Sequence, residues 1–461
     1  MTASIGQSYK GGIKKSSSAW GGVAMLLGSG DGFEFNSSTM KANIDLIRNT
    51  GLVGVAFQRS GSPGNIKPSG DWNADLYYDD AVVRMLAGII GDDVPTNLTG
   101  AYDHDMALQS SHTGIYYTVA ALGDIGNFEW NTAKITSLKI SGSSDGDGQR
   151  VKIMPTFASH DENLNVGSPS AAFVVAATQL KPSTPSAFVI RATAALDFIP
   201  SPISITKVAG ITAIAGTIKG EDRFGDATTI NFTQTDFAAQ FYNSAPVYLR
   251  RVISAAFTSA TGAGTISFGV NNGINNATTA ASVTTGATRF PVLFSQMRMY
   301  VSKQDAADFS AADELCISGF EININLNMDS RVNSCTPRRI AEPMTGGAGF
   351  AEVTLSFNFD EFATGNNRQR FFDMYSKDEL KAKLVFSGPQ IGATAFNHAL
   401  TIYLNAIQVE GEPSISGAGL LKWDFTGTAN QALASPTGFP AATTMPLRLV
   451  LRNVQSADYL A

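Results

Sequence analysis

The sequence specifies a mainly β protein built from two copies of one β-sandwich or β-barrel domain, each with a short packed helix, and a small β-sandwich inserted between them. Three observations carry this reading. First, two stretches alternate strictly between apolar and polar residues. In 321–329, Ile322, Ile324, Leu326 and Met328 share one face opposite Glu321, Asn323, Asn325, Asn327 and Asp329; in 352–360 the apolar face is Val353, Leu355, Phe357 and Phe359. A side-chain period of two means strands with one face buried and one wet. Second, the layout occurs earlier as well. Met40, Ala42, Ile44 and Leu46 alternate in one run, and Trp72, Ala74, Leu76 and Tyr78 in the next, again with a long loop between. Third, charged residues are only 16 % of the chain while Gly, Ser, Thr, Asn and Ala abound, a balance that favours short strands and turns over long solvated helices.

The repeat sets the domain limits. Pairing Met40 with Ile322 and Trp72 with Val353 gives offsets of 282 and 281 residues; Tyr117–Val119 then falls on Leu400–Ile402 and Leu138–Ile140 on Leu421–Trp423 at 283. The period is far beyond the roughly 20–50 residues of a solenoid repeat. Residues 1–30, rich in Gly and Ser with an apolar patch from Trp20 to Leu27, read as an arm that packs on a neighbour. The first copy follows over 31–165. Its strand 71–78 leads into 79–90, where initial acidic residues and apolar Val82, Val83, Leu86 and Ile90 predict a short helix closed by Gly91. Residues 166–290 have no partner in the repeat. Their β-branched runs at 187–193 and 247–253, with a turn at 261–264, predict the inserted sandwich, and 236–242 a helical turn within it. The second copy, with a C-terminal extension, spans 291–461; its helix is expected over 367–380 with Phe371, Phe372 and Tyr375 on one side, and its last strand over 447–451.

Composition and motifs exclude several function classes. A formal charge of −6 argues against a nonspecific nucleic-acid binder that neutralises phosphates. No run approaches the roughly 18 apolar residues of a membrane span, so no membrane partner is expected. The N-terminus reads as mature sequence, since the apolar stretch after Lys14 and Lys15 is short and interrupted by Gly21 and Gly22. Cys316 and Cys335 are too few for a disulfide framework and read as buried thiols. Asp103-His104-Asp105 and His160-Asp161-Glu162 hold metal-binding residue types, but each is one local cluster with no spaced second pair, and they read as solvated loop residues. Asp145-Gly146-Asp147-Gly148 lacks the downstream Glu of a calcium loop and reads as a hairpin turn; Gly28–Gly32 lacks the Lys-Ser/Thr of a phosphate loop. No Gly-x-Ser-x-Gly elbow occurs, and only four histidines exist. The chain is therefore expected not to be an enzyme and to hold neither metal nor cofactor. Trp72, Phe357 and Phe359 lie on apolar strand faces and belong to the core.

The polar strand face recurs in both copies: Asp71, Asn73, Asp75 and Asp79 in one, Glu352, Thr354, Asn358 and Asp360 in the other. It is either the ordinary wet side of an antiparallel sheet or a smooth acidic-to-neutral wall that lets a polyanion pass, since carboxylates repel phosphates. The loops 50–70 and 330–349 exceed hairpin length, and their Arg59, Lys67, Arg331, Arg338 and Arg339 are either solvated tips or groups that dock on acidic faces of a neighbouring subunit.

The strand, long loop, strand and helix series at 40–90 and 322–380, followed by the strands at 117–140 and 400–425, resembles the tail tube, or major tail, protein of long-tailed bacteriophages. The resemblance implies a virion protein whose sheets join those of neighbours into a ring, whose rings stack into a hollow tube, and whose long loops reach the adjacent ring. Two copies per chain imply a trimeric ring with pseudo-sixfold symmetry. The polar residues named above would then face the lumen, and the basic loop residues would lie between rings. By the same resemblance the partners are further copies of the chain, the tape-measure protein and viral DNA in the lumen, and distal tail and terminator proteins at the ends; the location is the virion tail, with assembly in the host cytoplasm. The insert at 168–289 departs from the simple pattern and is expected outside the tube. The alternative reading is a β-rich surface adhesin or surface-layer protein, and a third is a carbohydrate-active β-protein, which requires paired carboxylates in a cleft.

Overall fold

A computed structural model of the chain describes residues 9–16, 19–22, 24–25, 27–47, 62–123, 126–144, 149–166, 187–188, 201–208, 211–222, 226–234, 242–262, 265–270, 283–285, 289–332, 339–359, 365–410, 423–440 and 443–460. The first half holds β1 (Lys10–Lys15), β2 (Gly32–Phe33), β3 (Ser37–Ser38), β4 (Ile44–Ile47), β5 (Ser62–Ile66), β6 (Ser69–Asp75), α1 (Val83–Ile90), β7 (Val94–Asn97), β8 (Tyr102–Ala107), β9 (Tyr117–Leu122), β10 (Gly126–Ser143), β11 (Lys152–Ala158) and β12 (Asp161–Val166). Between the halves lie β13 (Ala187–Phe188), β14 (Ser201–Val208), β15 (Ile211–Asp222), β16 (Ala227–Gln234), β17 (Tyr242–Gly262) and β18 (Thr265–Val270). The second half holds β19 (Met297–Lys303), β20 (Glu314–Leu315), β21 (Gly319–Asn325), β22 (Glu352–Phe359), α2 (Gly365–Tyr375), β23 (Leu380–Gln390), β24 (Asn397–Glu410), β25 (Trp423–Ala429) and β26 (Leu447–Asn453). The protein is mainly β, and its named strands pair antiparallel.

Each half is two sheets sharing one long strand. The N-terminal part of β10 pairs with β9 and β12, and its C-terminal part with β11. In the second half the corresponding parts of β24 pair with β23 and β26, and then with β25. Both long strands turn between sheets at the same kind of irregularity. A buried asparagine, Asn131 or Asn405, precedes a residue at positive φ, Thr132 or Ala406, each at 47°. The ladder slips there in matching steps: Trp130 faces Val119 and Ala133 faces Tyr117, as Leu404 faces Ala382 and Ile407 faces Leu380. Such bulges bend a strand and re-aim the residues beyond them.

Apart from the ladders of β7 and β8, which have no counterpart, further ladders correspond residue for residue. Ser37 faces Asn73 as Gly319 faces Asn358; Asp71 faces Thr156 as Ser356 faces Thr426; Lys134 faces Ala158 as Gln408 faces Thr428. Ile13 faces Val119 as Val301 faces Ala382, and Gly11 faces Phe33 as Met299 faces Leu315. Trp72 therefore stands where Phe357 stands, and Tyr117 where Leu380 stands, whereas the sequence matches placed them on Val353 and Leu400. Likewise Trp423 occupies the place of Ile153 in β11, not a place in β10. Trp72 shifts because the loop before it is three residues shorter than its counterpart, and the later strands shift because of the hairpin β7–β8, which the first half carries between α1 and β9 and the second replaces with residues 376–379. A constant offset cannot survive those length differences.

Lys10–Lys15, assigned by sequence to an arm, is a strand of the first half. Its Gly11 permits close approach: a Cβ there would lie 2.4 Å from Cζ of Phe33. The helix expected over 79–90 spans only Val83–Ile90, with no acidic residue in its first turn, and ends at Gly91, whose φ of 83° suits a residue with no Cβ. In α2 the burial differs from the expected apolar side, because Met374 is buried while Phe372 and Tyr375 are exposed. One hydrophobic core runs through both halves. In the first, Trp72 packs edge-on against Phe33, Phe35 and Trp130, and in the second Phe357 stacks on Phe425 at 4.4 Å. The strands between the halves form one six-stranded sheet in the order β16-β15-β17-β14-β18, with β13 on β17, where the sequence suggested a sandwich. The helical turn expected over 236–242 falls outside the described residues except Tyr242, which opens β17. Cys316 is exposed just after β20 rather than buried, and Cys335 lies outside the described residues.

Candidate functional site

Strand pairing joins the halves into one polar surface. The sequence β3, β6, β11, β10, β21, β22, β25, β24 is an unbroken run of eight strands, because the C-terminal part of β10 pairs with β21 from Ser137 opposite Asn325 to Ser143 opposite Gly319. Alternation puts one row of polar side chains across all but the first: Asp75, Lys152, Ser141, Glu321, Ser356, Thr426 and Glu410 face one another in turn. Beside it run Lys139, Asn323, Thr354, Thr428 and Gln408. The face carries Asp71, Asp75, Glu321, Glu352, Glu410 and Asp424 against Lys139, Lys152 and Arg150. Part of it is an open concavity of about 430 Å³ lined by Lys152, Ser141, Glu321, Ser356 and Asp424.

Hydrogen bonds and ion pairs link several of these side chains to one another. Thr156 Oγ1 donates to Asp71 Oδ1 at 2.6 Å, and the Ser356 and Thr426 hydroxyls, in the corresponding place, lie 3.1 Å apart. Arg150 binds Asp75 at 2.7 Å, and Lys139 binds Glu321 at 2.6 Å. Exposed pairs of this kind contribute little to stability; here they trim the reach of long side chains.

Asp71, Asn73, Asp75, Thr354 and Asn358 lie on this half-buried face, and Glu352 is exposed on it. Asp360 falls outside the described residues. Asp79 does not belong to the face. The chain has left β6 by then, and the Asp79 carboxylate is buried 3.1 Å from His398 Nδ1, accepting a bond from Val454 N. Burial raises the pKa of Asp79 and lowers that of His398, with each partner's charge opposing the shift.

The long loops also differ from expectation. Both leave the sheet through an asparagine in the left-handed region, Asn43 at φ 44° and Asn327 at φ 45°. Arg339 is no solvated tip; it is ion-paired within the chain to Asp161 at 3.1 Å and to Asp222 at 3.3 Å. Arg331 is exposed and pairs with Asp329, Lys67 is half-buried, and Arg59 and Arg338 fall outside the described residues. Trp20 Nε1 donates to Ile340 O at 3.0 Å, Lys134 Nζ to Glu342 Oε1 at 2.9 Å and to Pro343 O at 2.8 Å, and His112 Nδ1 lies 3.0 Å from Thr345 Oγ1. The second loop is thus strapped across the first half.

The Asp103-His104-Asp105 cluster is not a solvated loop. His104 is fully buried on β8, with Nδ1 3.0 Å from Asp93 and Nε2 2.8 Å from Gln455 O, while Asp103 and Asp105 take two bonds each from Arg452 and Arg448 on β26. Burial lowers the pKa of His104, but the bond and charge of Asp93 outweigh it and the net shift is upward. Sequence could not show this, because the Arg partners are more than 340 residues away. Among the described residues no three His, Cys, Asp or Glu side chains converge as a metal site, and no helix is long and apolar enough to cross a membrane. No protein-family model matches the chain, and no curated protein is detectably similar to it.

Proposed function

We propose that the chain is a structural, self-assembling protein, a tail-tube-like subunit with a duplicated domain, whose copies join edge to edge into rings of three and stack into a tube that passes a polyanion such as viral DNA. The observation that supports this is the joint between β10 and β21. Within one chain it fuses the sheet of one half to that of the other through seven consecutive residue pairs. One kind of edge recurs at an end of the eight-strand run: among the described residues, Ser37 and Ser38, counterparts of Gly319 and Phe320, pair only with β6. At the other end β24 runs past its bend as β10 does, and the counterparts of the joint residues 137–143 are 411–417, outside the described residues. An edge of this kind accepts another strand, and a heterologous contact that repeats by rotation closes a ring. Repeating the internal joint between chains makes six like panels from three molecules, with the polar face continuous around the inside.

The acidic excess of that face suits a lumen for a polyanion, which it repels along its whole length. The insert lies in sequence between β12 and β19, which belong to the other sheet of each half, and this supports placing it away from the polar face. It decorates the exterior of the tube in this reading.

The edge supplies the test. Thr39 N and Lys41 N donate into β6, at 2.9 Å to Asp71 O and 3.3 Å to Ser69 O, so Met40 N turns the other way and reaches only Ser38 Oγ at 3.2 Å. Met40→Pro deletes an outward donor and leaves the inward ladder intact. Negative-stain images of the purified protein are expected to show rings or tubes with a central hole, and Met40→Pro to give dispersed particles with an unchanged circular dichroism spectrum. Wild-type protein that remains monomeric across the accessible concentration range refutes the proposal.

A further inference from the structure

Positions that alternate alike in the two halves differ sharply in burial. Ile324 and Leu326 are 1 % and 0 % exposed, because the first half lies against the end of β21: Leu326 N donates to Thr136 O at 3.0 Å, and the chain beyond continues into the strap that Trp20, Lys134 and His112 hold. In the first half, Ile44, at the place of Leu326, is 46 % exposed, Leu46 is 59 % and Ile47 is 63 %. These three stand on the β4–β5 hairpin, whose described contacts with the rest of the chain include the bridge of Ile66 to Arg339 and the bonds of Asn43 to Ser69.

We infer that the β4–β5 hairpin seats on a second copy of this chain, across that copy's second half, as residues 339–345 seat on the first half. The occupant is a second copy because the chain already contains the filled version of the contact. The ladders locate the receiving surface. Gln408 occupies the position of Lys134, and Glu379 that of Tyr116. The C-terminal end of α2 occupies the position of the α1 end, where His112 Nε2 lies 2.7 Å from Ile89 O. Phe372 and Tyr375 are exposed on that end of α2, so apolar Ile44, Leu46 and Ile47 meet aromatic rings there. The hairpin then acts as a lateral clamp within a ring, where the sequence reading sent the long loops toward an adjacent ring.

This inference rests on the self-assembly proposed above, and the test separates the two. A benzophenone amino acid replaces Leu46 in the full chain, and assemblies are irradiated after mixing isotopically labelled with unlabelled protein. Adducts to residues 372–379 or Gln408 of another copy are expected; adducts confined to the same chain, or to any other surface of the second copy, overturn the inference. The double variant Leu46→Asp, Ile47→Asp provides a second readout. Both side chains are exposed in the free chain, so folding is retained, and at least a tenfold higher concentration is expected for assembly. Assembly at the wild-type concentration defeats the clamp alone, whereas a wild-type chain that never assembles defeats the underlying reading and the clamp with it.

Discussion

Replacing Lys134 with methionine removes the centre of the strap. Its side chain is 2 % exposed, and the ammonium holds Glu342 Oε1 at 2.9 Å and Pro343 O at 2.8 Å, over the Tyr116 ring. Burial lowers the Lys134 pKa although Glu342 opposes the shift, and Glu342 is held below the usual carboxylate range by Lys134 and Tyr116 in spite of its own burial. Breaking a fully buried pair costs about 3–5 kcal/mol. The Glu342 side chain keeps 27 % of its exposure, which moves the cost toward the lower end, and Met recovers part of the desolvation of the ammonium. The carbonyl of Pro343 loses a donor, worth about 1 kcal/mol. A destabilisation of about 2–3 kcal/mol is therefore expected for Lys134→Met. For Glu342→Gln, which leaves the lysine two oxygen partners, about 1 kcal/mol is expected. The two changes should couple by roughly 1 kcal/mol in a double-mutant cycle. Urea denaturation measures the totals, and hydrogen exchange over 339–349 measures release of the strap. A Lys134→Met protein within about 0.5 kcal/mol of wild type, with exchange unaltered, refutes the reasoning.

Acidification should destabilise the fold. Burial lowers the pKa of His112, His160 and His398, so each contributes stability that is complete above the unfolded value near 6.5 and lost as pH falls through the lower folded value. His104, raised by Asp93, works in the opposite sense: its contribution is complete below about 6.5 and fades as pH rises through its folded value. The urea midpoint is expected to drop between about pH 7.5 and 5.5, and to drop more steeply in His104→Gln; a midpoint that rises on acidification contradicts the assignment. Gly11→Val drives a side chain into the Phe33 ring and should cost about 1–3 kcal/mol in thermal melts, whereas Gly28→Ala, with nothing within 4 Å of the added carbon, should be nearly silent.

What sequence could show was set by where physical constraints are local. Strands β21, β22 and β6 were legible because one face is core and the next polar, and α1 because Gly91 closes it. β1 escaped, since Lys-Gly-Gly-Ile-Lys-Lys has no alternation and its glycines serve the approach of Phe33 to Gly11 and of Leu27 to Gly12. The bends in β10 and β24 escaped because Thr132 and Ala406 are ordinary residues held at positive φ by pairing on both sides. The polar face was visible as a pattern, but the exclusion of Asp79 depends on His398, more than 300 residues away. Ile44 and Leu46 were read as core from their alternation, and they lie exposed because nothing among the described residues of the same chain covers them. Lys134 and Lys381 are buried, the first held by the Glu342 carboxylate and the Pro343 carbonyl and the second by three carbonyl oxygens, all from segments brought together only by the fold.

The hairpin β7–β8 has a mechanical consequence. It gives the two halves of one molecule a second ladder, β8 on β26, riveted by Arg448 and Arg452 to Asp105 and Asp103, and the second half has no such hairpin to offer a neighbour among its described residues. A cylinder closed by these chains would alternate double-stitched seams with single-stitched ones. Under load it would open at every other seam and shed whole molecules, and in such an assembly one chain would be the unit of wear as well as the unit of construction.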